Sequence, residues 1–75
     1  MSFVVAYADT IDNVVSIKRF EARSIKECQD KVMQYIIDQY DWDDNIDFPD
    51  EYNEFVEFMK DYNILLSSVT DIELI

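Results

Sequence analysis

Asp41, Asp43, Asn45 and Asp47 alternate along one short stretch, the spacing at which the first half of an EF-hand loop sets oxygen ligands around calcium. The likeness then fails. Counting Asp41 as the first position, the sixth is Ile46 where the turn needs glycine, and the twelfth is Tyr52 where a bidentate glutamate belongs. No specific metal site and no cofactor is therefore expected. Paired carboxylates also perform general acid and base catalysis, as in glycosidases, where two of them flank a bond inside a cleft. Here the acids crowd a loop and what should be a solvated helix face, in a chain of 75 residues with little room for such a cleft. The chemistry left to them is attraction. Asp41, Asp43, Asp44, Asp47, Asp50, Glu51, Glu54, Glu57 and Asp61 can offer charge-assisted hydrogen bonds to a basic surface. Trp42 and Phe58 fall outside the helical stripes described below, and would add π faces for arginine among those acids.

The distribution of charge sharpens this reading. Residues 38–75 carry twelve acids against Lys60 alone, whereas residues 1–37 balance five acids with five bases, so the whole net charge of −11 lies in the second half. Duplex phosphates would be repelled by such a surface, which argues against direct nucleic-acid binding. Two absences remove most enzyme templates. Without histidine there is no Ser-His or Cys-His nucleophile pair and no HExxH zinc site. Without glycine there is no Walker loop, dinucleotide fingerprint or nucleophile elbow, each of which needs positive φ or a close approach of backbone to phosphate. A non-enzymatic protein is expected.

A hydrophobic fraction of 49% with eleven aromatics is too high for a disordered acidic tail, and the length suits one domain over residues 1–75. Cys28 has no second cysteine to pair with, and MSFVVAYAD lacks the basic start and long apolar run of a secretory signal. A cytoplasmic location is expected, that of the host if the source is a virus. No stretch approaches the length of apolar chain that spans a membrane.

The elements that must position the acids follow from periodicity. Ser2 to Ala8 is a β-branched and aromatic run apolar on both faces, as in an interior strand. Asp12-Asn13 can make the turn that glycine would otherwise supply, and Val14 to Ala22 returns as the second strand. There Val15 and Ile17 share a face that Phe20 leaves, so a bulge near Lys18-Arg19 is expected. Ser24-Ile-Lys-Glu27 is a capping box that starts a helix at Ile25, running to about Tyr40 with Cys28, Val32 and Ile36 on its apolar stripe. Asp41 to Pro49 is a loop. Pro49 is placed in the first turn of a second helix, whose stripe is Tyr52, Phe55, Val56, Met59 and Tyr62 and whose left-handed end is Asn63. Ile64 to Ile75 reads as the last strand.

The expected fold is a small α+β domain in the order ββααβ, a three-stranded sheet with both helices on one face and the last strand parallel to the first. The exposed edge of such a sheet offers a route to a homodimer. In composition the chain is similar to phage-encoded DNA-mimic proteins, which occupy the nucleic-acid groove of a host enzyme or defence complex. That likeness covers no motif and implies no residue assignment. The expected function is that of a DNA mimic inhibiting a basic nucleic-acid-binding protein. The alternative is an acidic interaction subunit or antitoxin-like protein, whose basic target is met away from any nucleic-acid site.

Overall fold

The computed structural model describes residues 1–72 and shows a small α+β protein, an antiparallel sheet with two helices. Strand β1, Ser2–Asp9, pairs with β2, Val14–Glu21, in one uninterrupted antiparallel register from Ser2↔Glu21 to Asp9↔Val14. The expected bulge at Lys18-Arg19 is therefore absent, and the reason lies in which face of β2 is inward. Phe20 pairs with Phe3 and packs against the core, which turns Ser16 and Lys18 to the same side. Val15 and Ile17, the more apolar pair, are 78% and 73% exposed. Lys18 tolerates its position because its ammonium lies 5.4 Å from the centre of the Tyr35 ring, a cation–π contact at the end of a flexible stem.

The hairpin loop is set by side chains in place of glycine. Asp9 Oδ1 accepts from the amides of Ile11 (3.0 Å) and Asp12 (3.2 Å), and Asn13 takes φ 56°. Helix α1, Ile25–Gln39, opens as expected with Ser24 Oγ accepting from the Glu27 amide at 3.1 Å. The return half of the capping box is displaced by one residue, since Glu27 accepts from the amide of Arg23 (3.4 Å) and from its guanidinium (2.9 Å). The Arg23 hydrogen bond, with further help from Lys31, holds the Glu27 carboxyl below its ordinary pKa, against the opposing effect of desolvation.

Helix α2, Tyr52–Lys60, begins later than the proline predicts. Glu51 is its N-cap and accepts from the Asn53 amide at 3.1 Å, so Pro49 and Asp50 belong to the loop. At the other end the amides of Asp61, Tyr62 and Asn63 each donate three residues back, and Asn63 adopts φ 65° as expected.

Beyond that reversal the chain enters the sheet at Ile64, opposite Asp9, and runs back along β1. Strands β3 (Ile64–Leu66) and β4 (Thr70–Asp71) are both antiparallel to β1, which corrects the expected parallel strand. The cause is the short turn after α2: Asn63 delivers Ile64 to the end of β1 where Asp9 lies, leaving one direction in which to pair. The amide and Oγ of Ser67 take over at Ala6, donating to its carbonyl and accepting from its amide, both at 2.9 Å. Between Tyr7↔Leu66 and Val4↔Thr70 the register slips by one residue, a bulge that splits the expected single strand and leaves Val69 packed on the core. Residues 73–75 of that strand lie outside the described residues.

The sheet order is β2-β1-β3 with β4 also on β1, so the most apolar strand is central. Phe3, Val32, Ile36, Phe55 and Met59, from β1 and both helices, are fully buried together. Cys28 lies among them, and burial raises its thiol pKa, the state of an inert small hydrophobe. Among the described residues no helix is long and apolar enough to cross a membrane.

Candidate functional site

The acidic loop is folded by its aromatic residues. Tyr40 caps α1 in extended conformation, and Trp42 then turns back so that its indole Nε1 donates to the Ile37 carbonyl at 2.9 Å. Around the indole stand Tyr40, Phe48 and Tyr62, edge-on with ring centroids 5.9, 5.2 and 5.1 Å away. Phe58 stacks on Tyr62 at 5.3 Å and leans on Phe48 at 5.8 Å. Trp42 and Phe58, expected as exposed platforms, are thus half-buried members of one aromatic cluster that fastens the loop to α2. Helical periodicity could not place them because their neighbours come from a loop with no period of its own.

The acids of the loop and of α2 stay at the surface. Asp41, Asp43, Asp44, Asp47, Asp50, Glu51, Glu54, Glu57 and Asp61 are all exposed, and among the described residues only Glu57 has an ion-pair partner, Lys60 at 2.9 Å. Two serve local turns as well: Glu51 caps α2, and Asp43 Oδ1 accepts from the Asn45 amide at 3.2 Å. The Asp43 carbonyl closes the same turn on the Ile46 amide at 3.1 Å. Among the described residues no three acids gather closely enough to hold a metal ion.

Against the loop lies a cavity of about 410 Å³ that the sequence did not reveal. Its apolar walls are Tyr40, Trp42, Tyr62, Ile11, Ile46 and Ile64. Asp41 and Asp43 border it on one side, and Asp9 and Asp12 of the β1–β2 hairpin on the other. Of the residues expected to bind a partner, the structure thus gathers Asp41, Trp42 and Asp43 here. Asp44, Asp47, Asp50, Glu51, Glu54, Glu57, Phe58 and Asp61 lie outside its lining.

Asp9 is the buried acid of the group, 7% exposed. Besides the two loop amides it accepts from the Tyr40 hydroxyl at 3.1 Å, and it has no ion-pair partner among the described residues. Burial, and then the Asp9 carboxylate, push the Tyr40 phenol up to about 12. The signal that could have found Asp9 is its place at the head of Asp-Thr-Ile-Asp-Asn, where an aspartate side chain can accept from turn amides, but nothing there points to the tyrosine that reaches it across 31 residues.

No known protein family, curated protein or solved structure matches this chain.

Proposed function

We propose that this chain is a non-enzymatic binding protein that imitates nucleic acid. It would seat the carboxylates of the acidic loop and α2 on the basic surface of a nucleic-acid-binding host or defence protein, as a phage inhibitor acting in the host cytoplasm would. The observation that carries the reading is the set of nine exposed acids of which only Glu57 is neutralised within the described chain. Glu54 and the C-cap Asp61, neither with an ion-pair partner among the described residues, stand about two helical turns apart, roughly 10 Å of rise, with the Lys60-paired Glu57 between them, so α2 offers more than a single charge. In the first half Glu21, Glu27 and Asp30 are paired with Arg19, Arg23 and Lys26, which leaves Asp9 and Asp12 as its acids without an ion pair among the described residues, so most of the uncompensated charge lies on the acidic loop and α2.

The reading rests on a ββααβ arrangement with both helices on one face of the sheet. It is supported by the core that Phe3 and Val5 share with both helices, while Val15, Ile17 and Leu65 stand exposed. A rigid support of this kind would hold the acids in a fixed pattern, which steers an oppositely charged partner into register.

Charge neutralisation tests the reading. Proteins retained on immobilised DNA provide a pool of candidate partners, and the immobilised chain should capture members of it and release them as salt rises. The variant Asp43→Asn, Asp44→Asn, Asp47→Asn, Glu51→Gln, Glu54→Gln, Glu57→Gln should capture none while keeping its melting temperature. The amides retain the carbonyl acceptors that Asp43 and Glu51 use, and self-repulsion falls. Neutralising Glu21, Glu27 and Asp30 in the balanced half should matter far less per charge. Capture that resists both salt and the six substitutions would contradict the proposal.

A further inference from the structure

We infer that the cavity between the hairpin loop and the acidic loop receives an arginine side chain. Three observations point there. The walls are aromatic and aliphatic, Tyr40, Trp42 and Tyr62 with Ile11, Ile46 and Ile64, so a bare solvated ion would gain little from them. The border carries Asp9, Asp12, Asp41 and Asp43 and no base, so the occupant must be cationic. Asp9 is more than nine-tenths buried and held in place by two loop amides and the Tyr40 hydroxyl, with no counter-charge among the described residues, so it adds a fixed carboxylate to the lining.

Compact metal ions do not fit, because the acids of the border do not converge on one point. An arginine meets each demand: its apolar stem suits the isoleucines, its planar guanidinium stacks on aromatic faces, and its five donors reach carboxylates on two sides. Lysine is the poorer match, since its strongly hydrated ammonium neither stacks nor forks. The volume, about 410 Å³, lies at the small end of ligand cavities and admits one long side chain with its flanking backbone. This pocket is separate from the row of acids on α2. The inference does not rest on nucleic-acid mimicry.

Trp42 is the chain's one tryptophan and lines the cavity, so its fluorescence reports occupancy directly. The isolated protein should be titrated with N-acetyl-arginine methylamide, and in parallel with the lysine and citrulline analogues. A saturable change is expected with arginine, weaker with lysine, and at least about tenfold weaker with citrulline, which keeps the shape but loses the charge. Amide shifts in NMR should map to residues 9–12 and 40–46. The double variant Asp12→Asn, Asp41→Asn alters two exposed acids and should weaken arginine binding at least about fivefold with an unchanged melting temperature. Equal responses to arginine and citrulline, shifts scattered over α2, or undiminished affinity in the double variant would overturn the inference. Because no partner protein enters this experiment, its outcome is independent of whether DNA-binding proteins are captured by α2.

Discussion

Tyr40 links the cavity, the hairpin loop and the end of α1. Its ring is a wall of the cavity, its hydroxyl is one of three donors to a buried carboxylate, and its backbone ends α1. Tyr40→Phe removes one donor from Asp9 and should cost about 1–2 kcal/mol in urea denaturation. The same hydroxyl predicts a pH dependence. Tyr40 and Tyr52 ionise near 10.0 when unfolded and are pushed up to about 12 when folded, both chiefly by burial. The folded state binds those protons more tightly. Their contribution is therefore complete below pH 10 and is lost as pH rises through 12. Denaturation followed across that window should show stability falling, with a smaller fall in Tyr40→Phe; identical slopes in the two proteins would remove Tyr40 from the account. Tyr52 has a tertiary role of the same kind, donating to the Ser67 carbonyl at 2.7 Å and so tying the start of α2 to the bulge. Neither hydrogen bond was legible in the sequence. Periodicity predicts which side of a helix is buried, but says nothing about where a hydroxyl at the end of that side chain finds its acceptor.

Among the elements, what local chemistry controls was legible and what distant pairing controls was not. The Ser24 cap, the extent of α1, the left-handed Asn13 and Asn63 and the central place of β1 each follow from residues within a few positions of one another. The direction of the last strand depends on Asn63 meeting the Asp9 end of β1, a contact between residues more than fifty positions apart. The inward face of β2 was not legible for a related reason. Alternation marks two faces, and the more apolar one, with Val15 and Ile17, is the one left exposed. The face assigned to α1 carries a direct test. Val32 is fully buried, so Val32→Asp places a carboxylate without a partner among Phe3, Ile36 and Phe55, at a cost on the order of 3–5 kcal/mol. In a domain this small that should abolish the cooperative thermal transition. A melt like that of the parent would show that this face of α1 is not where the core lies.

The chain divides into a charge-balanced first half, which supplies the hairpin and α1, and an acidic second half joined to it by the shared core, by the Tyr40 hydroxyl on Asp9 and by the Trp42 indole on the Ile37 carbonyl. Composition alone made the charge asymmetry visible, and the exposure of the nine acids accords with it. The cavity was not visible, because its two sides come from the hairpin loop and the acidic loop, which share no sequence pattern. The central proposal, occupation of a nucleic-acid site on a basic partner, makes one demand that general acidity does not. A complex formed between this chain and a DNA-binding protein captured by it should be followed by fluorescence anisotropy while unlabelled duplex DNA is added at constant ionic strength. The account predicts full release of this chain, at DNA concentrations set by the partner's own affinity for DNA. A complex that persists at saturating DNA, with all three components bound together, would contradict it and place the contact away from the partner's nucleic-acid site.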